Sequence, residues 1–281
     1  MSARAVVSAG RGVPTSDGAG VRITRVISSP DVGVIDPFLM LDEFRSDEPS
    51  DYLGGFPNHP HRGFDTVTYM LAGRMRHKDN HGHEGVIGPG GVQWMRAGRG
   101  IVHSEMPEQA NGLMWGFQLW VNLPAQHKMS APSYQEYEAG QIPQESRGDD
   151  CAIRVISGTT SQGVRGSVSD IPTGPLYLDV RLAANAQLEE PLDPQANACV
   201  YVFEGVAEVL SNGSATRLER GVLGRLGGGD GVHLRARQEG ARLLLLAARP
   251  INEPIAWHGP FVMNTRAELL QAFDDYSHER F

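Results

Sequence analysis

Four residues in two like-spaced pairs could hold a metal ion: His59 with His61, and His103 with Glu105. Positions i and i+2 of an extended strand project to one face. Two such strands side by side would aim three imidazoles and one carboxylate at a common point. Neutral imidazoles with a carboxylate suit a divalent first-row ion: Fe, Mn, Co, Ni, Cu or Zn. A six-coordinate ion held this way keeps open positions for water, dioxygen or substrate. A single carboxylate leaves the site net positive, which favours an anionic substrate oxygen. Dioxygen and a deprotonated hydroxyl could then bind side by side, as a dioxygenase needs. Glu105 is both a ligand and the best candidate base, because a metal-bound carboxylate can let go and accept a proton. The bland alternative is a buried hydrogen-bond cluster, but two like-spaced dyads rarely arise by accident.

Other candidates are weaker. His81 and His83 form a second His-x-His pair, yet Asn80 and Gly82 make that stretch a turn, where the i, i+2 geometry is not fixed. A solvated loop is the expectation there. Asp42 and Glu43 are adjacent, so on a strand they face opposite ways and cannot act as an acid pair. His258 beside Trp257 is a lone histidine, expected to be structural.

The elements around the ligands read as strands. Val21–Ile27 alternates imperfectly, and Asp36–Phe44 is an apolar run with acidic ends that fits a buried strand starting after Pro37. Thr66–Leu71 is β-branched and aromatic, and Gly73 ends it. Counting in twos from His59 passes His61, Gly63, Asp65, Val67 and Tyr69, so one continuous strand would put ligands and core residues on a shared inward face. That suits a small β-barrel with polar groups near one mouth. Val92–Met95 is another strand. Gly98 and Gly100 suggest tight or positive-φ backbone just before His103. Trp115, Phe117, Leu119 and Val121 share one face of a further strand, as core. Phe56, Trp94 and Met95 are the candidates for a substrate pocket, with core packing as the alternative for each.

Composition narrows the classes. The chain has 281 residues, 40% hydrophobic and 21% charged, with net charge −8. Lys78 and Lys128 are the only lysines and the arginines are scattered, which argues against a nucleic-acid surface. The longest apolar run, Leu243–Ala248, is too short to span a bilayer, and the first residues have no signal-peptide core. Cys151 and Cys199 are far apart beside apolar residues, as buried free thiols of a cytoplasmic protein. The chain is expected to be a monomer.

The second half echoes the first. Tyr201–Gly205 has the shape of Tyr69–Gly73, and Gly231–Ala236 that of Gly91–Ala97, at offsets of 132 (201 − 69) and 140 (231 − 91). Those offsets carry the four ligands onto Pro191, Asp193, Leu243 and Leu245. A second barrel with an apolar interior and no metal follows. The polar, aperiodic stretch Pro124–Asp150 reads as the crossing between domains 1–136 and 137–281. Thr265 with Glu268 is a capping-box signature opening a helix at about 265–277. Its apolar residues Ala267, Leu269, Leu270, Phe273 and Tyr276 should dock on a barrel.

The stretches Asp36–Phe44, Phe56–Phe64, Val92–Met95, His103–Glu105 and Gly259–Asn264 together resemble the pirin family of the cupin superfamily, over nearly the whole chain. The resemblance implies an all-β fold of two stacked, jelly-roll-like cupin barrels. Iron, as Fe(II), would be bound only in the N-terminal one, by His59, His61, His103 and Glu105. It also implies that the C-terminal helix packs back on that barrel. Two departures stand out: the family usually has Glu at Asp65, and Gly-Asp where this chain has Gly90-Gly91. Cupins in general place a carboxylate ligand near Asp65, so the shorter side chain favours Glu105. Members of the family divide between quercetin 2,3-dioxygenases, which open a flavonol ring with O2, and regulatory cofactors that bind protein partners. An enzyme should have an apolar cavity beside His59 and Glu105 large enough for a planar aromatic. A binder should have a closed or narrow site. The oxygenase reading is the one adopted, with a small aromatic substrate and O2 as partners and no nucleic acid or membrane.

Overall fold

Alternating apolar residues between glycine and proline breaks favour strands throughout, and a computed structural model, which describes residues 2–281, is mostly β-sheet with one long helix. The chain divides into two compact units: Met1–Val13, Val26–Asp36 and Gln141–Pro250 in one, and Pro14–Arg25, Pro37–Gly140 and Ile251–Phe281 in the other. Among the described residues no helix is long and apolar enough to cross a membrane.

The second of these units carries the histidine motif. Its larger sheet has the strand order Ser133–Tyr137, Val92–Arg96, Phe64–Ala72, Met114–Asn122, Phe38–Ser46, Val21–Ile27, Val13–Asp17. Its smaller sheet runs Phe56–His61, Ile101–Pro107, Met75–Asp79, Glu84–Ile87. Val21, Ile23, Phe44 and Met70 of the larger sheet pack with Met75 and Ile87 of the smaller around one core. That core is what makes the two sheets a barrel rather than two open surfaces.

The expected continuous strand from His59 to Tyr69 is instead two strands in two different sheets. The chain turns at Gly63, whose φ is +90° and where a Cβ would lie 2.0 Å from the Val262 carbonyl oxygen. Only glycine fits that corner. The break shifts the alternation by one residue, which exchanges faces. Thr68 and Met70 face the histidine side and the core, while Val67 and Tyr69 are buried on the opposite face, where Tyr69 stacks on Phe117.

The crossing stretch is also more ordered than its composition suggests. Ser133–Tyr137 pairs with Val92–Arg96 in one unit, and Gln144–Arg147 with Cys151–Ser157 in the other. Each is an edge or near-edge strand, where polar residues and flanking prolines are tolerated.

In the other unit a nine-stranded sheet curls around an apolar core that includes Val180, Val200, Val202, Leu243 and Leu245. Leu243 and Leu245 are fully buried there, but their segment pairs with Leu176–Leu182 and Asn197–Ser211 as Met114–Asn122 pairs with Phe38–Ser46 and Phe64–Ala72. Gly231–Arg235, paired with Gln187–Pro191, is the counterpart of the His103 strand, so the offset of 140 does not carry His103 and Glu105 onto the leucines. Asp193, just beyond the strand Gln187–Pro191, pairs with Arg249. Cys151 and Cys199 are buried free thiols.

The C-terminal helix spans Arg266–Ser277 and begins with the anticipated capping box, in which Thr265 N–H donates to Glu268 Oε2 at 2.8 Å and Glu268 N–H to Thr265 Oγ1 at 3.2 Å. The face that docks is narrower than the periodicity implied. Ala272 is buried and Phe273 packs edge-on against Phe261, but Ala267 and Leu270 face solvent. The missing grip comes from charge: Arg62, 3% exposed, donates from Nη1 to Asp275 at 2.7 Å, and its guanidinium lies 4.4 Å over the Phe281 ring.

Candidate metal centre

The two ligand-bearing strands are neighbours. Phe56–His61 and Ile101–Pro107 pair antiparallel, with His103 opposite His59 and Ile101 opposite His61. Gly100, at φ +140°, turns the chain into the second strand in contact with Phe281, which leaves no room for a side chain. The histidines alternate onto one face, and His59, His61 and His103 each offer a ring nitrogen within 4.8 Å of the others. Ring centroids stand 4.4 Å apart for His59–His103, 4.7 Å for His59–His61 and 5.0 Å for His61–His103.

The hydrogen bonding of these rings fits a metal. His59 Nδ1 lies 2.8 Å from the Pro57 carbonyl, so that nitrogen carries the hydrogen and Nε2 is left as a lone-pair donor. His103 is 1% exposed and neither of its ring nitrogens has a hydrogen-bond partner; His61 Nδ1 is likewise buried and unpaired. Orphaned nitrogens of this kind are costly unless something satisfies them, and a cation would. Burial first, and then the neighbouring imidazoles, push the His61 and His103 pKa values well below 6.5. Both rings are therefore neutral, the form that binds metal.

Glu105 sits beside this cluster, not inside it. The ladder shifts register between His103 and Glu105, so Glu105 stands opposite Phe56 on one side and His77 on the other. Its carboxylate is gripped from the larger sheet: Oε1 lies 2.7 Å from Thr68 Oγ1, and Oε2 accepts from Gln118 Nε2 at 3.0 Å. Thr68 Oγ1 is also 2.6 Å from Gln118 Oε1, and the two residues face each other across adjacent strands.

A cavity of about 690 Å³ opens beside His59, His61 and Glu105, with Phe56, Trp120 and Trp257 among its walls. Trp120 packs on His61 at 5.1 Å, stacks on Phe64 at 4.2 Å and meets Trp257 at 5.9 Å. Of the three pocket candidates, Phe56 lines this cavity. Trp94 and Met95 do not, and both are buried with other partners: Trp94 donates its indole N–H to Asp65 at 2.8 Å, and Met95 packs with Ala97 and Ile101.

Trp120 and Gln118 line the cavity from the opposite parity of the strand to Trp115, Phe117, Leu119 and Val121, the face that periodicity marks as core. The signal was the same alternation read on its other parity. Trp257 carried no local signal, since its contact with Trp120 is between segments far apart in the chain.

The remaining candidates lie outside the histidine cluster. His81 and His83 lie in a turn where Asp79 accepts both of their backbone N–H groups at 2.8 Å and the His83 ring as well. Asp42 and Glu43 do face opposite ways: Asp42 pairs with Arg25, and Glu43 accepts from Trp115. Asp65 is fully buried with Trp94 and Arg96 as partners, and burial pushes its pKa up to about 6.

Known proteins share this architecture. Residues 20–121 match the pirin family and residues 177–281 the pirin C-terminal cupin domain. A pirin-like protein of Caulobacter vibrioides is 57% identical over 281 residues, covering both chains completely. A Pseudomonas aeruginosa protein named provisionally as a quercetin 2,3-dioxygenase is 46% identical over 97% of this chain and 96% of its own. The crystal structure of a quercetin 2,3-dioxygenase from Acinetobacter baumannii superposes with a TM-score of 0.90 at 32% identity, covering 100% of this chain and 99% of that one. With both cupin domains matched and identity at this level over the full length, the chain belongs to the pirin family.

Proposed function

We propose that this protein is a metal-dependent oxygenase of the quercetin 2,3-dioxygenase type, acting on a flavonol or a similar polyphenol. The observation that carries the reading is the cavity of about 690 Å³ beside His59 and Glu105, walled by Phe56, Trp120 and Trp257. Its volume lies within the usual range for small-molecule sites. A protein that used its metal only to bind a partner would need no such space, so the open cavity favours turnover over the regulatory reading.

In this scheme His59, His61 and His103 would hold the ion, Glu105, which stands beside the cluster, would have to reach in as the fourth donor, and the ion would be iron. When bound, it would supply Lewis-acid polarisation of a substrate oxygen and a template for dioxygen. The aromatic walls would hold a planar ring system and exclude water from it. Glu105 would take the proton of the substrate hydroxyl on one carboxylate oxygen, with Thr68 and Gln118 fixing where that oxygen points. The buried free thiols suit a reducing compartment, and we place the protein in the cytoplasm.

The test is metal analysis of the purified protein joined to an oxygen-electrode assay with quercetin. Bound iron with quercetin-dependent oxygen uptake is the expected result. Iron without uptake would favour the partner-binding reading.

A further inference from the structure

The cavity has a polar end that the metal chemistry does not use. Asp17, Arg25 and Asp42 line it together with the aromatic residues. Arg25 is held flat by Asp42, to which Nε donates at 3.0 Å and Nη2 at 2.8 Å. Nη2 also reaches Asp17 Oδ2 at 3.3 Å. Asp42 is 3% exposed, so this anchor is built into the barrel wall. Two kinds of hydrogen-bonding capacity are left over. Arg25 Nη1 carries two N–H groups that neither aspartate takes. Asp17 spends Oδ1 on the Gly18 N–H and keeps spare lone pairs on both oxygens, with its side chain 52% exposed.

This polar end lies two strands from the residue that holds Glu105. Asp42 stands directly opposite Gln118, whose amide holds Glu105, and Arg25 is one strand further on. At about 4.8 Å per strand, the guanidinium's strand is about 10 Å from that of Gln118. A planar molecule lying along the aromatic wall would reach from one end to the other.

We propose that Arg25, Asp42 and Asp17 form a distal subsite of this cavity that recognises a vicinal diol on an aromatic ring; the inference rests on the oxygenase reading of the site. One hydroxyl donates to Asp17 and its neighbour accepts from Arg25 Nη1. A lone hydroxyl satisfies only one of these partners, and an unsubstituted ring neither. The cluster's formal charge is −1 (one guanidinium, two carboxylates), which disfavours a ring bearing a carboxylate or sulfate. The selected class is therefore neutral ortho-dihydroxylated aromatics.

The test is equilibrium binding followed by quenching of tryptophan fluorescence, since Trp120 and Trp257 line the cavity. Three flavonols serve as probes, identical except for two vicinal hydroxyls, one hydroxyl or none on the pendant ring. The metal-loaded wild type should bind the vicinal form about tenfold or more tightly than the unsubstituted one. Asp17→Ala should reduce that preference. The charge-neutral pair Arg25→Met with Asp42→Leu, which leaves no buried ion unpaired, should abolish it to within about twofold. Equal binding of the three probes by wild type, a preference that survives both variants, or no binding of any probe would overturn the subsite. Oxygen uptake is recorded in parallel. A preference without uptake overturns the oxygenase reading and leaves the subsite standing; uptake without a preference does the reverse.

Discussion

His59 and His103 face each other directly across an antiparallel ladder, with ring centroids 4.4 Å apart and neither His103 nitrogen hydrogen-bonded. A cation would satisfy the ring lone pairs that this arrangement leaves buried without a partner. His103→Ala should therefore lower metal affinity by about 100-fold or more, beyond the loss typical of a residue that merely supports a ligand. Titration of the metal-free protein with Co(II) or Ni(II) checks this; an unchanged Kd would exclude His103 as a ligand.

The same burial sets a pH dependence. His61 and His103 have folded pKa values well below 6.5, so the unfolded chain takes up protons that the folded one refuses. Stability of the metal-free protein should fall as pH drops from 6.5 toward the folded values, and level off below them. Bound metal blocks protonation, so the loaded protein should hold its Tm to lower pH. Thermal unfolding with and without metal between pH 7 and about 4.5 measures the difference.

Thr68 and Gln118 grip the two oxygens of Glu105. Thr68→Val or Gln118→Leu should cut turnover about 10- to 100-fold with metal content retained, and Thr68→Ser should restore it. Parallel loss of metal and activity would instead mean that the pair only stabilises the site's fold.

Arg62 follows His61 directly and reaches Asp275 in the C-terminal helix at 2.7 Å. Asp275→Asn leaves a buried guanidinium unpaired and should cost about 3 kcal/mol in urea unfolding. The Arg62 guanidinium holds the Asp275 carboxyl at about 2, below its ordinary 3.8. The stabilisation is thus present above pH 3.8 and lost as pH falls toward 2, so the difference between wild type and variant should shrink across that window.

Trp120 and Trp94 should separate cleanly. Trp120→Ala removes a cavity wall and should weaken flavonol binding about tenfold. Trp94→Phe leaves the cavity alone but takes the indole N–H from buried Asp65, and should cost about 1–3 kcal/mol of stability with binding unchanged. Fluorescence titration and denaturant unfolding of the two variants give both readouts.

Much of this was legible along the chain because strand geometry is local. A period of two residues aligns His59 with His61 and places His103 on an equivalent face of its own strand. Runs such as Val21–Ile27 announce themselves by β-branched and apolar content. The capping box of the last helix is likewise complete within four residues. At Gly63 local periodicity fails, because one glycine corner changes the sheet and exchanges the faces, so that Thr68 rather than Val67 meets Glu105.

By itself, then, the amino-acid order determined which residues can be neighbours on a strand: the histidine pairs and the core alternation. Only the tertiary structure decided which strands meet. It set His103 opposite His59, put Thr68 and Gln118 on the two oxygens of Glu105, brought Trp257 to Trp120 and aimed Arg25 and Asp17 into the same cavity. The physical reason is that side-chain direction along a strand follows from backbone sterics within a few residues. Pairing between distant strands depends instead on closing the barrel around a shared core, which no short window of sequence contains.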